Sequence, residues 1–308
     1  MEDVVKASEK IHRFGEEKLL LALCGPTPAV LTETVWALAH ETPAPYIPSR
    51  VIVFTTVVGR EAIRQELFED GQWERLRQAL GVDGSQLRLG MNAEFIKVFA
   101  SPDGGELEDL QTPEENAAVA DFMLEHVRSF TENPDNQIVF SIAGGRKTMS
   151  VLAAQIMTLL GRPCDRICHV LVNSPFDSRD LKPRFYFPDP SIPCFRLPDG
   201  AEVGIDQARV ELADIPFVPF REFFQNQFHR PPGRYMDMVR VLRGVSESFA
   251  QEKAKLEVDF AACEIKLNGR TLKLGRLPFL LYALMLYQLK TQGKRSWSLF
   301  EVIRMVYI

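Results

Sequence analysis

Short, almost entirely apolar runs alternate with segments of helical periodicity along the first two thirds of the chain. The runs LLLALC, VIVFTTVV and QIVFSI lie at 19–24, 51–58 and 137–142, and shorter ones lie at 95–99 and 167–172. Strands that are apolar on both faces are typical of a parallel sheet with helices on both sides. The alternation therefore predicts an α/β fold built on a parallel sheet.

The segments between these runs carry helix signals. Thr112 and Glu115 have the spacing of a capping box, and Pro113 suits the first turn of a helix. The loop before them, SPDGGELEDLQ, is polar and rich in glycine, as mobile loops often are. Periodicity predicts helices over 30–40, 61–80, 113–131 and 148–160.

The character of the chain changes twice in its last third. Residues 183–228 are rich in proline and aromatic residues, which predicts hairpins and irregular structure that extend the sheet domain. From residue 256, alternating residues flank Asn268-Gly269, a strong hairpin signal, and a leucine-rich helix follows over 277–289. A helical stretch over 234–255 links the two parts. The sequence thus predicts two domains, 1–230 and 231–308.

Composition limits the kind of ligand site. The chain has 308 residues, 46% hydrophobic and 25% charged, which is ample for a folded core. The formal net charge is −5, whereas a protein whose whole surface binds nucleic acid is usually basic. An anionic ligand must therefore be held by a local site.

The cysteines and the hydropathy favour a cytoplasmic protein without a metal site. Cys164 and Cys168 lie close together with His169, but no second pair completes a structural zinc site. We interpret all five cysteines as free thiols in a reducing compartment. The sequence has no apolar stretch of membrane-spanning length, and the charged N-terminus lacks a signal-peptide core.

Two strand-to-helix turns carry the main functional signal, CGPTPAVLTET at 24–34 and SIAGGRKTMS at 141–150. Ligands of open α/β sheets bind at the carboxyl ends of strands, and helix N-termini attract phosphate. Neither turn matches the GxxxxGK[ST] or GxGxxG pattern. The expected ligand contacts in these turns are Gly25, Pro26, Gly144, Gly145, Arg146, Lys147 and Thr148.

Other candidates each have a structural alternative. AGGRK alone is also compatible with a tight turn carrying a solvated basic pair, and Thr27 with a helix N-cap. Thr55 and Thr56 end the second strand and are candidate ligand contacts, although β-branched residues also simply favour strands. Asn173 and Ser174 follow the fifth strand, where they suit either hydrogen bonds to a base or ribose or an Asx turn before the next proline.

Three segments together resemble a known family. LCGPTPAVLTETVWAL, SIAGGRKTMS and HVLVNSPFDS with the following FYFP are similar to CRISPR-associated CARF-domain proteins of the ring-nuclease type, over residues 18–225. The resemblance implies a Rossmann-like fold and a two-fold symmetric homodimer that binds cyclic tetra-adenylate across its interface. It also implies cleavage by a ribose 2′-hydroxyl that attacks the adjacent phosphate, without metal or cofactor.

The same resemblance assigns roles to two residues. Lys147 corresponds to the lysine that neutralises the phosphate, and Thr27 stands where these proteins usually carry a serine in the first turn. Threonine keeps the hydroxyl and adds a methyl group. Lys147 and Thr27 are therefore the predicted catalytic residues.

The C-terminal segment resembles the opening of a winged-helix module of the response-regulator kind. The printed chain ends about where a recognition helix is expected, so either the sequence is truncated there or the module serves only as a dimerisation or partner surface. In either case we expect residues 256–308 to bind DNA weakly or not at all. The alternative function is a sensor of cyclic oligoadenylate that does not cleave it and regulates through this C-terminal domain.

Overall fold

The computed structural model describes residues 17–221, 233–251, 256–267 and 270–292, and a six-stranded sheet organises the first of these ranges. Its strands are β1 (Glu17–Leu23), β2 (Arg50–Thr55), β3 (Ile96–Val98), β4 (Asn136–Ser141), β5 (Arg166–Val172) and β8 (Val210–Asp214). The spatial order is β3-β2-β1-β4-β5-β8, parallel except for the antiparallel edge strand β8. The predicted α/β, Rossmann-like fold is confirmed.

The central strand β1 shows why the apolar runs form this sheet. Leu21 lies opposite Ile52 of β2 on one side and Phe140 of β4 on the other, and all three side chains are fully buried. The second strand is shorter than predicted because it ends at Thr55. Thr56 then accepts a hydrogen bond from the N–H of Gly59 and begins a helix.

Helices cover both faces of the sheet. They are α1 (Ala29–Ala39), α2 (Val57–Ala62), α3 (Gln72–Leu80), α4 (Pro113–Glu132) and α5 (Lys147–Leu160). Helix α1 packs with α3, and α4 packs with α5. Leu20 and Ala22 of β1 belong to the core beneath α1 and α3, whereas Phe54 of β2 contacts His126 of α4. The capping box of Thr112 and Glu115 is present as predicted.

The helix predicted over 61–80 is instead broken into three pieces. Helix α2 continues directly into a π-helical segment, Ile63–Glu69, and α3 begins after Gly71. Gly71 has a φ of 72°, a left-handed conformation that interrupts the helix. Periodicity alone did not reveal this interruption, because glycine is tolerated within helical patterns.

The region rich in proline and aromatic residues forms a small subdomain that extends the sheet domain, as predicted. Strands β6 (Cys194–Arg196) and β7 (Glu202–Gly204) pair as an antiparallel hairpin. Its core includes Phe176, Phe185 and Phe195, whose rings contact one another, together with Leu181 and Val203.

The chain divides into two compact units, Met1–Met238 and Val239–Ile308, and helix α6 (Tyr235–Gln251) spans this division. The second unit contains an antiparallel three-stranded sheet, β9 (Leu256–Asp259), β10 (Glu264–Leu267) and β11 (Arg270–Lys273), followed by helix α7 (Arg276–Gln292).

Ile265, Phe279 and Ala283 form the core of the second unit. Leu267 pairs with Arg270, as in the predicted hairpin, whose turn at 268–269 lies outside the described residues. The expected position of a recognition helix also lies outside them. No described helix is long and apolar enough to cross a membrane.

An ionisable residue is buried within α1. Glu33 is only 8% exposed, and burial raises the pKa of its carboxyl group to about 7, against an opposing effect of Arg184. The folded chain therefore keeps a proton between about pH 4.5 and 7 that the unfolded chain releases. The contribution of Glu33 to the unfolding free energy therefore falls as the pH rises through that window. Above the window, the full cost of burying the ionised carboxylate applies.

Replacing Glu33 by glutamine is expected to stabilise the protein at pH 8. The gain in unfolding free energy should approach about 3 kcal/mol, the equivalent of the pKa shift, and should shrink towards zero near pH 5. Urea unfolding of the full chain across this range measures it. Glu125→Gln is the matched control, because Glu125 is an exposed residue of α4. A Glu33→Gln effect independent of pH would contradict the assignment.

Candidate functional site

The two strand-to-helix turns lie side by side at the centre of the sheet. Strands β1 and β4 are parallel neighbours, so their carboxyl ends meet at the same edge. From β1 the chain proceeds to β2 on one side, and from β4 it proceeds to β5 on the other. Such a reversal of strand order leaves a crevice between the two turns, the usual ligand position in open α/β sheets.

Glycine is required where these turns touch. A Cβ at Gly144 would lie 2.2 Å from the carbonyl oxygen of Leu23 and 2.9 Å from the Cα of Cys24. A Cβ at Gly25 would lie 3.1 Å from the Cα of Gly145. The two turns thus pack backbone against backbone, a contact that any larger residue at 144 would push apart.

The second turn delivers the start of helix α5. Gly145 has a φ of 79°, and this left-handed residue turns the chain into the helix that begins at Lys147. Arg146 is the N-cap residue, and the side chain of Met149 packs beneath the turn. The first N–H groups of a helix have no intrahelical acceptor and form its positive end, which suits an anion.

A cavity of about 390 Å³ opens at these turns. Segments from the ends of four parallel strands and from the loop before α4 converge on it. The lining residues are Cys24, Gly25, Pro26, Thr56, Val58, Asp109, Gly145, Arg146, Met149 and Arg179. Five of the predicted contacts, Gly25, Pro26, Thr56, Gly145 and Arg146, are therefore brought together.

The charges around the cavity are not equivalent. Arg146 forms a bidentate ion pair with Asp109, with 3.2 Å between Nε and Oδ1, and its Nη2 donates to Oδ2. This pair raises the pKa of Arg146 and lowers that of Asp109, so both are ionised at neutral pH. Arg179 lines the cavity, whereas Lys147 follows the lining residue Arg146 in sequence, is exposed, and is not itself a lining residue. Neither Arg179 nor Lys147 forms an ion pair with any residue that the structure describes.

The hydroxyl of Thr27 is not used as a helix cap. Helix α1 has Pro28 as its N-cap residue, with no side-chain capping hydrogen bond. Thr27 is half-buried, and its hydroxyl has no hydrogen-bond partner within the described part of the chain. The alternative reading of Thr27 as an N-cap is therefore wrong, and Thr27 is not among the lining residues of the cavity.

Sequence comparison assigns the family. Residues 27–243 match the family model described as CRISPR-associated protein NE0113. The chain belongs to this CRISPR-associated family. Comparison with curated protein sequences gave no match. The matched range includes the second turn and every cavity residue except Cys24, Gly25 and Pro26.

Solved structures share parts of the fold with this NE0113-family chain. One is Csm6 from Enterococcus italicus bound to cyclic hexa-2′-fluoro-hexa-dAMP, with 15% identity and a TM-score of 0.34, covering 53% of this chain and 35% of that one. Another is protein VC1899 from Vibrio cholerae, with 10% identity, a TM-score of 0.28, and coverage of 61% and 36%. This chain thus spans about a third of the length of either structure.

Some predicted contacts of the NE0113-family chain do not line the cavity. Thr55 is fully buried and donates to the carbonyl oxygen of Cys24 at 2.8 Å, so it holds the first turn from behind. The Thr55 side chain therefore does not reach the cavity, contrary to the expectation. Gly144 lies at the contact between the two turns and does not line the cavity either. Thr148 is exposed on the first turn of α5, outside the lining set.

Asn173 has a role that neither sequence alternative anticipated. Its amide donates to the carbonyl of Gln207 at 3.0 Å and accepts from the N–H of Arg209 at 2.6 Å, which fastens the end of β5 to the approach of β8. Ser174 is exposed. Neither residue lines the cavity.

Sequence reasoning missed five lining residues. Arg179 lies in the loop after β5, where its position after a strand end was a usable signal. Asp109 had no local signal, because its loop follows the edge strand β3. Cys24 is buried, and burial raises the pKa of its thiol, so the thiol stays uncharged. Among the described residues, no group of three His, Cys, Asp or Glu side chains is placed to hold a metal ion.

Gly144→Ala is expected to destabilise the protein by about 3 kcal/mol, because its new methyl group would overlap backbone that has little room to move. Gly84→Ala is the matched control, since a Cβ there meets only the Arg77 side chain at 3.4 Å, and it should cost under about 0.5 kcal/mol. Urea unfolding of both variants provides the measurement. Equal stability of the two variants would refute the close contact between the turns.

Proposed function

We propose that this NE0113-family chain binds cyclic oligoadenylate, specifically cyclic tetra-adenylate, at the cavity and cleaves it as a ring nuclease. The observation that carries the proposal is the cavity itself. Two glycine turns meet at the crevice of the sheet, and cationic side chains surround the start of α5. Membership of a CRISPR-associated family and the resemblance to CARF-domain ring nucleases support this ligand.

The geometry suits a phosphodiester. The positive end of α5 and the N–H groups of its first turn attract phosphate oxygens. Arg179 supplies a cation to the cavity wall, and the apolar Val58, Pro26 and Met149 offer surfaces on which a base can pack. The net charge of −5 confines such binding to this local site.

The proposed reaction uses the ligand's own nucleophile. A ribose 2′-oxygen forms a bond to the adjacent phosphorus while the bond from phosphorus to the 5′-oxygen breaks. The proton of the 2′-hydroxyl is lost to solvent, and the 5′-oxygen gains one. The product of one cleavage is a linear oligoadenylate with a 2′,3′-cyclic phosphate at one end and a 5′-hydroxyl at the other. The protein's part is to align attack with the leaving group and to stabilise charge on the phosphorane.

We assign the second task to Lys147. It is the first residue of α5, follows the glycine turn, and has no ion-pair partner in the described part of the chain. An ammonium group near the phosphorane stabilises the transition state more than the ground state, because negative charge increases there. The hydroxyl of Thr27 is proposed to orient the reacting phosphate through one hydrogen bond.

Lys147→Ala is expected to slow single-turnover cleavage of cyclic tetra-adenylate by roughly a hundredfold or more, the usual scale for losing one oxyanion-stabilising group. Thr27→Ala should cost less, because a neutral hydrogen bond contributes less. Binding should weaken only modestly in both variants. Product formation from labelled ligand under saturating enzyme measures the rate. Lys18→Ala is the control, since Lys18 lies at the opposite end of β1.

A wild-type cleavage rate in Lys147→Ala would contradict the catalytic assignment. Binding of the ring without cleavage by the wild-type chain would instead favour the second candidate function, a sensor that does not cleave its ligand. The observation that favours it is the separate unit Val239–Ile308, with its own sheet and core, whose winged-helix resemblance suggests a regulatory output.

The protein is expected to form a symmetric dimer. Each chain contributes one such cavity, and a cyclic ligand with rotational symmetry is best met by two copies of it. Val58 at the cavity and Val151 on α5 are apolar and about half exposed, as residues of a partner surface are. Light scattering with and without ligand tests this expectation. A stable monomer under both conditions would count against it.

A further inference from the structure

Asp109 is a negative charge on the wall of a cavity that otherwise suits an anion. Its Oδ1 accepts hydrogen bonds from the N–H of Leu110 at 2.7 Å and from Nε of Arg146 at 3.2 Å. Its Oδ2 accepts from Nη2 of Arg146 and faces the Gln111 amide at 3.5 Å. A phosphate that enters this cavity therefore meets Arg146 already paired with a carboxylate.

The carboxylate is fixed in place by the packing of its loop. Leu107 and Leu110 on either side of Asp109 are buried. The N–H of Leu107 donates to Phe99 at 2.8 Å, and its carbonyl accepts from Val57 at 2.9 Å. Although the loop is polar and rich in glycine, these contacts anchor its second half. The backbone that carries Asp109 is therefore anchored, which keeps its carboxylate on the cavity wall.

A fixed carboxylate acts differently on the two chemical classes of phosphate. A phosphodiester carries one negative charge, which the start of α5 and Arg179 can balance. A terminal phosphate carries close to two, and the additional charge is repelled by Asp109. For charges about 6 Å apart at an intermediate effective dielectric, this repulsion corresponds to about a tenfold change in affinity. Discrimination of this kind needs a repulsive group as well as attractive ones.

We propose that Asp109 makes the cavity select phosphodiesters over terminal phosphates. The inference rests on the proposed function, in which the ligand is a ring that contains only phosphodiester linkages. A site made of a helix start and arginines would otherwise also accept ordinary nucleotides, whose terminal phosphates offer the same oxygen atoms. The charge of Asp109 weakens the binding of such nucleotides, because their additional negative charge would lie close to it.

A matched pair of ligands tests the proposal, AMP and its 5′-phosphate monomethyl ester, which share base and sugar and differ by one charge. Calorimetry at constant ionic strength should show that the wild-type chain prefers the ester. Asp109→Asn keeps an oxygen acceptor for Leu110 and Arg146 but removes the charge. The charge of Asp109 repels both ligands, and the additional charge of AMP is repelled further, so the substitution should tighten AMP about tenfold more than the ester.

Glu106→Gln is the matched control. Glu106 lies in the same loop and forms a bidentate pair with Arg60, at 2.5 and 2.7 Å, but it does not line this cavity. The substitution changes net charge by the same amount as Asp109→Asn. It should leave the ratio of the two affinities at its wild-type value, which separates a local effect of Asp109 from a general effect of charge.

Two results would overturn the inference. Equal weakening of both ligands by Asp109→Asn would show that Asp109 only positions Arg146, and an unchanged affinity ratio would show that its charge does not reach the phosphate. Binding of cyclic tetra-adenylate, measured alongside, keeps the proposed function separate. If the ring binds and the ratio is unchanged, the selectivity role alone fails. If neither the ring nor AMP nor its ester binds, the proposed function and the inference fail together.

Discussion

The contact between two strand-to-helix turns is the constraint on which the candidate site depends. Gly144 lies against the backbone of Leu23 and Cys24, so the turns after β1 and β4 approach more closely than side chains would permit. Thr55 secures the same position from the neighbouring strand through its bond to Cys24. With the turns locked together, the start of α5 and the residues around Gly25 face one cavity. A looser contact would leave two unrelated turns.

Two electrostatic features meet at this site. One is a positive potential that attracts anions, and the other is a carboxylate that we propose repels additional phosphate charge. The helix start, Arg179 and Lys147 provide positive potential in a chain whose net charge is −5. The carboxylate of Asp109 lies among them, paired with Arg146. Such a pair at the surface contributes little to stability, because solvent screens it. Its position on the cavity wall is better explained by its effect on what binds.

Beside α1, the fold tolerates buried charge. Arg184 is bonded to Glu66 at 2.6 Å, and the hydroxyl of Tyr186 donates to the same carboxylate at 2.9 Å. Glu66 belongs to the π-helical segment. Glu33 lacks such a hydrogen bond among the described residues, and it responds to burial by holding its proton. The contrast follows from the cost of burying an unpaired charge.

The sequence by itself determined the α/β class, the strands and the two glycine turns, because these depend on local periodicity and on residues adjacent in the chain. It also pointed to Gly25, Pro26, Thr56, Gly145 and Arg146, which lie in the two glycine turns or in the second apolar run. Only the tertiary structure decided that Thr55 and Asn173 serve the scaffold, since their partners are up to 36 residues away. It alone brought Asp109 to Arg146, 37 residues along the chain. Local sequence does not encode that meeting, because it arises from the order in which the sheet places its strands.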